Sequence, residues 1–232
     1  MTRLVDLSMP VHQDMLTFPR VPPPMLMLYE SWTDFAERIG AAQYGATSLT
    51  ASYVVVQNDH VGTHMDAPIH CWEPGVTLER VDISRMIGEA VCLDMFKGDV
   101  DYGYTAADLE AAGGDVVQPG DIVLIYSGYR DYSETERIKQ TYLAVDGAEW
   151  LVERGVHSVG CEPAGIEHVP EGLWKYHWYD KDTPNLPSWP AHQVLLSNDV
   201  YIIEGLTNSV WLATNAPASP HIVPAMTKPV SL

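Results

Sequence analysis

Residues 60–70 read HVGTHMDAPIH and place three histidines and an aspartate within eleven positions, around a Gly-Thr pair and a proline. Two neutral imidazoles and a carboxylate suit Zn(II), Mn(II) or Fe(II). His60, His64 and Asp66 would leave coordination positions open, the condition for catalysis rather than for a closed structural site. A helix would put His60 and His64 on one face but carry Asp66 away, since each residue turns by about 100°. A flat strand would place 60, 64 and 66 on one side but spread them over roughly 20 Å. The chain must therefore curl, and Gly62 is the residue that permits it. Pro68 then fixes the exit of the segment.

His70 stands apart from that set, beyond Pro68 and Ile69. It is open to three roles: ligand, structural group or proton carrier. A free imidazole facing the same cavity suits proton transfer, because its ordinary pKa lies near neutrality. Cys71 follows it and reads as a small buried hydrophobe rather than a nucleophile. Ser127-Gly128 has no G-x-S-x-G context. Trp72 is a candidate for the substrate pocket by proximity. Trp174 and Trp178, in LWKYHWYDKD, could stack on a flat ring or pack onto the core or a second subunit.

The elements that must hold these groups read as follows. Leu4–Ser8, Ser48–Gln57, Ile87–Met95, Asp121–Ser127 and Val156–Cys161 have strand character. Val194–Leu196 and Asp199–Glu204 add one or two more. Ser31–Ala42 reads as a helix capped by Ser31, 105–113 as a short one between Thr105 and Gly113, and Asp146–Arg154 as another stopped by Gly155. Pro19–Pro24 holds four prolines and reads as an irregular loop. Strands interspersed with helices indicate an α/β fold in one domain, 1–232, with 1–47 as an N-terminal strand and arm or lid.

Of the 232 residues, 46% are hydrophobic, enough for a substantial core. The formal charge of -18 repels phosphate backbones and anionic lipid, which argues against nucleic-acid and membrane partners. No apolar run approaches the roughly 20 residues of a membrane-spanning helix. The N-terminus lacks the apolar core of a signal peptide. Three widely spaced cysteines form neither a disulfide framework nor a CxxC site, which fits the cytoplasm.

HVGTHMDAPIH resembles the HxGTHxDxPxH signature of the cyclase family of metal-dependent hydrolases, a group that includes kynurenine formamidase and isatin hydrolase. LVDLSMPV, GDIVLIYSGY, AEWLVERGVHSVGCEP and AHQVLLSNDVYIIEGL resemble further family segments, so the likeness covers most of residues 1–206. The resemblance implies a barrel-like mixed sheet flanked by helices, and a homo-oligomer, dimer or tetramer. It implies one or two divalent ions, zinc or manganese. His60, His64 and Asp66 would hold the first, and Asp66, His192 and Glu204 the second. His192 and Glu204 carry no signal of their own. His70 would move protons. The implied reaction is attack of hydroxide, generated at the cation, on an aryl formamide such as N-formylkynurenine or on an isatin-like cyclic amide. The substrate is then a small molecule with an aromatic or planar ring. A lactone hydrolase, a lyase that cyclises or dehydrates, and a silent metal-binding protein are the alternatives. Two departures stand out. The family aspartate after the xxxG strand is replaced by Gly160-Cys161-Glu162-Pro163, and the segment 207–232 lacks the Gly-x-Pro-x-Arg ending.

Overall fold

In the computed structural model, contacts divide the chain into two units, Val11–Val61 with Val230–Leu232, and Met1–Pro10 with Gly62–Pro229. The structure describes residues 5–15, 17–18, 21–97, 102–128, 141–163, 165–167, 189–209 and 221–222.

In the first unit, β1 (Met25–Glu30) pairs antiparallel with β2 (Ser52–Val56), from Met25 opposite Val56 to Glu30 opposite Ser52. Strand β1 was not expected so close to the prolines; it begins where they end. Helix α1 (Trp32–Arg38) starts at Ser31, whose hydroxyl accepts from the Asp34 N–H as expected of an N-cap. It is shorter than the sequence suggests. Gly40, at φ 68°, turns the chain left-handed, and a single 3₁₀ turn, Ala41–Tyr44, follows.

The second unit is built on a six-stranded mixed sheet. Its strands are β3 (His64–Asp66), β4 (Gly88–Asp94), β6 (Ile122–Tyr126), β8 (Ser158–Cys161), β9 (Tyr201–Glu204) and β10 (His221–Ile222), in the order β10-β4-β6-β8-β9-β3. The four central strands run parallel, and β3 and β10 are antiparallel to their neighbours. Parallel neighbours need crossovers, which here carry α2 (Ala106–Ala111), α3 (Val145–Glu153) and α4 (Pro190–Ser197). Two short strands, β5 (Gly103–Tyr104) and β7 (Tyr142–Leu143), pair with each other. Thr105 and Asp108 form a capping box at the start of α2.

Every residue of β6 is buried, as the unbroken apolar run IVLIY requires of a strand covered on both faces. Val123 and Ile125 face Leu109 of α2, Leu151 of α3 and Leu195 and Leu196 of α4. Ile122 and Leu124 face the other way, with Ala90, Ile203 and Leu206, against Leu7 and Met65. The mixed α/β architecture, a central sheet with flanking helices, is the one the sequence indicates.

Two expected strands are absent. Val194–Leu196 lies inside α4, which begins at Pro190, the residue type favoured in a first helical turn, and buries Ala191, His192, Leu195 and Leu196 along one face. The described part of Leu4–Ser8 is not a strand: the Asp6 carboxylate accepts from the Ser8 N–H and turns the segment locally. Among the described residues, no helix is long and apolar enough to cross a membrane.

Candidate metal centre

Ligand sites in open parallel sheets form beyond the carboxyl ends of the strands. Here β9 ends at Glu204, and the antiparallel strand β3 lies beside it, with His64 opposite Glu204. Strand alternation turns His64 and Asp66 to one side and Met65 to the other, against the second core cluster. The predicted curl is confined to the residues before β3, where Gly62 has φ 69°. From Gly62 the chain passes so close to Gly205 that a Cβ on Gly205 would stand 2.9 Å from the Gly62 carbonyl oxygen.

Thr63 ties these segments together. Its hydroxyl donates to the Gly205 carbonyl at 2.6 Å and accepts from the Met9 N–H at 2.7 Å. A Thr63→Val variant keeps the shape and loses both bonds. It is expected to cost about 1–3 kcal/mol of stability, read from urea denaturation.

Four buried side chains converge beside this bend. His64 Nε2 lies 3.6 Å from Asp66 Oδ1 and 3.5 Å from Glu204 Oε2. His192 Nε2 lies 3.5 Å from Asp66 Oδ2 and 3.4 Å from Glu204 Oε1. Each carboxylate thus turns one oxygen to each imidazole, and the four groups alternate in a closed ring. These separations exceed the roughly 2.7–2.9 Å of a charge-assisted hydrogen bond. They match the edge of a tetrahedron whose donors sit about 2.0–2.2 Å from a central ion. The donor set therefore fits a divalent cation of the zinc or manganese type.

Charge points the same way. Asp66, Glu167 and Glu204 are 2%, 2% and 4% exposed, and His64 and His192 are also buried. Even with both imidazoles protonated, these five groups keep one net negative charge, and buried charge is costly unless compensated. Burial alone would push the His192 pKa down; hydrogen bonding to Asp66, Glu167 and Glu204 outweighs it and holds His192 well above the usual histidine range. The cluster draws positive charge inward.

The ring also has an outer layer. His64 Nδ1 lies 2.9 Å from the Gly62 carbonyl oxygen. Donation there leaves Nε2 unprotonated and facing the carboxylates. The Ile166 N–H donates to Glu204 Oε1 at 2.7 Å. Glu167, unmarked in the sequence analysis, faces His192 Nδ1 with Oε2 at 3.5 Å. No local pattern marks it, since its partner Ala191 lies 24 residues along the chain.

His70 ends a 3₁₀ turn, Pro68–His70, and is exposed. Its ring centroid is 5.8 Å from that of His192, and one donor atom from each of Asp66, His70 and His192 lies within 4.8 Å of the others. It thus sits at the mouth of the buried ring. Trp72 follows, 39% exposed, its N–H held by the Pro68 carbonyl. Cys71 is half buried and packs against the main core; burial raises its pKa, which speaks against a nucleophile. His60 falls in the 11–61 unit, with its N–H bonded to Asn58 Oδ1. Trp174 and Trp178 lie outside the described residues. Glu162, at the position of the family aspartate, is buried and accepts from both the N–H and the hydroxyl of Ser127.

The chain is similar to several known proteins. A kynurenine formamidase of Erythrobacter litoralis (strain HTCC2594) is 25% identical over 154 residues, 66% of this chain and 60% of its own length. One from Bacillus thuringiensis (strain Al Hakam) is 23% identical over 209 residues, 87% of this chain and 81% of its own. Isatin hydrolase A from Labrenzia aggregata, solved with benzyl benzoate, superposes with a TM-score of 0.70 at 19% identity, over 97% of this chain and 88% of that one. The sequence model of the family described as "Putative cyclase" matches residues 5–168, a span that contains the whole HVGTHMDAPIH segment and the strand that presents it. By that match, and by a sheet that sets His64 and Asp66 where the motif needs them, the chain belongs to the cyclase family of metal-dependent hydrolases.

Proposed function

We propose that the protein is a metal-dependent hydrolase that opens a non-peptide carbon–nitrogen bond in a small substrate with an aromatic or planar ring. The substrate class is an aryl formamide, such as N-formylkynurenine, or an isatin-like cyclic amide. The observation that carries this reading is the alternating ring of His64, Asp66, His192 and Glu204. Relatives named kynurenine formamidase and a neighbour named isatin hydrolase support the substrate class.

A divalent cation, Zn(II) or Mn(II), would lower the pKa of a coordinated water and polarise the substrate carbonyl. His64, Asp66, His192 and Glu204 would hold it. His60, four residues before His64 in the motif, remains a candidate ligand by its place in HVGTHMDAPIH. Each carboxylate gives one oxygen to each imidazole, an arrangement that suits one shared ion or two bridged ions. His70, at the mouth, takes a proton from the attacking water and returns it to the leaving nitrogen, with Nδ1 or Nε2 as the carrier. Trp72, two residues on, offers an apolar face to the ring of the substrate; Trp174 and Trp178, the other aromatic candidates, lie outside the described residues. We place the protein in the cytoplasm, where its three free cysteines stay reduced. It works as a homo-oligomer, dimer or tetramer: the β1–β2 ribbon leaves Met25, Met27, Leu28 and Val55 about half exposed, a surface a second copy would cover.

The test uses protein stripped of metal and resupplied with Zn(II) or Mn(II), assayed against aryl formamides, cyclic amides and lactones. Amide hydrolysis that returns with metal is expected, with one or two ions per chain. Solvent ¹⁸O in the product separates hydrolysis from a lyase reaction. Turnover of lactones alone would move the assignment to an ester hydrolase, and no turnover in any arm would end it.

A further inference from the structure

We infer that Glu167 is a positioning residue that fixes the tautomer and direction of His192, an inference that rests on the metal-centre reading above. Helix α4 carries His192 as its third residue, directly after Pro190 and Ala191. Its own N-cap residue, Trp189, sits in the left-handed region at φ 48° and supplies no capping side chain. The cap comes from elsewhere. Glu167 Oε1 accepts the Ala191 N–H at 2.7 Å, across 24 residues of sequence. Its other oxygen, Oε2, faces His192 Nδ1 at 3.5 Å. One carboxylate thus pins the helix and addresses the ligand that the helix delivers.

The chemistry follows from what a carboxylate can do. Ionised, it only accepts hydrogen bonds. With a cation in place, His192 would then keep its proton on Nδ1, facing Glu167 Oε2, and turn the Nε2 lone pair toward the ion between Asp66 and Glu204. Both carboxylate oxygens are engaged, so rotation of Glu167 would break the cap. His64 obtains the same tautomer by a different device, a backbone carbonyl. The two imidazoles are therefore set by separate partners and can be perturbed separately.

Glu167→Gln discriminates positioning from simple support. The amide oxygen can still cap Ala191, but its NH₂ then donates to Nδ1 and leaves the proton on Nε2. Three quantities are measured: the Tm of the metal-free protein, Zn(II) affinity by competition with a chromogenic chelator, and the visible spectrum of the Co(II)-loaded protein. The metal-free Tm is expected to stay close to that of the parent, while Zn(II) affinity falls about 10–100-fold and the Co(II) bands shift. Parent-like affinity together with an unchanged Co(II) spectrum overturns the proposal. If Glu167→Gln does not fold, Glu167→Asp replaces it. The shorter carboxylate keeps its charge but withdraws from His192, and parent-like Zn(II) affinity in that variant overturns the proposal equally. If the parent protein itself binds neither Zn(II) nor Co(II), the metal-centre reading fails instead, independently of Glu167.

Discussion

His64→Ala is expected to abolish metal retention and turnover together, while His70→Ala keeps the metal and loses about 10²–10⁴ in kcat. The two residues are six apart in one motif, yet the fold gives them different surroundings. His64 is buried on β3, opposite Glu204, with its Nδ1 committed to the Gly62 carbonyl. Its removal takes a donor from the ring and leaves two buried carboxylates facing each other with one imidazole between them. His70 is exposed on a 3₁₀ turn at the mouth. Its loss leaves the ring intact and removes only a proton carrier. Metal content per chain and kcat, measured on the same preparations, check both. Equal metal loss in the two variants would defeat this division of roles.

Removal of the metal is expected to lower the Tm by about 8–16 °C. A cation that binds only the folded chain, held at 1,000 times its Kd, adds about 4.1 kcal/mol. For a protein of 150–250 residues each kcal/mol moves the Tm by about 2–4 °C. The sign is fixed by the three buried carboxylates, Asp66, Glu167 and Glu204, which repel one another once the cation leaves. Calorimetry before and after dialysis against a chelator measures the shift, and return of the original Tm on adding Zn(II) or Mn(II) confirms reversibility. In His64→Ala the same chelator should leave the Tm unmoved. A parent protein indifferent to the chelator would remove the thermodynamic case for the centre.

The sequence exposed the parts of this molecule whose signals are local. The apolar run of β6, the Thr105 cap of α2 and the Ser31 cap of α1 each follow from neighbours within a few residues, and all are found. His64 and Asp66 were legible as metal-capable groups from their types and spacing, and the bend at Gly62 is found; the strand that carries them was not, because a curl was expected through the whole motif. What was hidden depends on distant partners. Val194–Leu196 reads as a strand by composition, but Pro190 starts a helix whose buried face is chosen by packing against α3 and the sheet. Glu167 was invisible because its meaning is supplied by Ala191 and His192, which reach it only after α4 docks. Glu204 and His192 became candidates through likeness alone; no pattern around either announces a ligand.

The Thr63–Gly205 hydrogen bond joins residues 142 apart in the chain, and β3 forms an edge of the sheet beside β9. Such long-range closure belongs to the late, entropically expensive part of a folding reaction. The cation pocket is therefore expected to be completed last. In a refolding experiment, helical signal should recover first and chelation competence afterwards, so that uptake of a coloured ion would serve as a clock for completion of the native state.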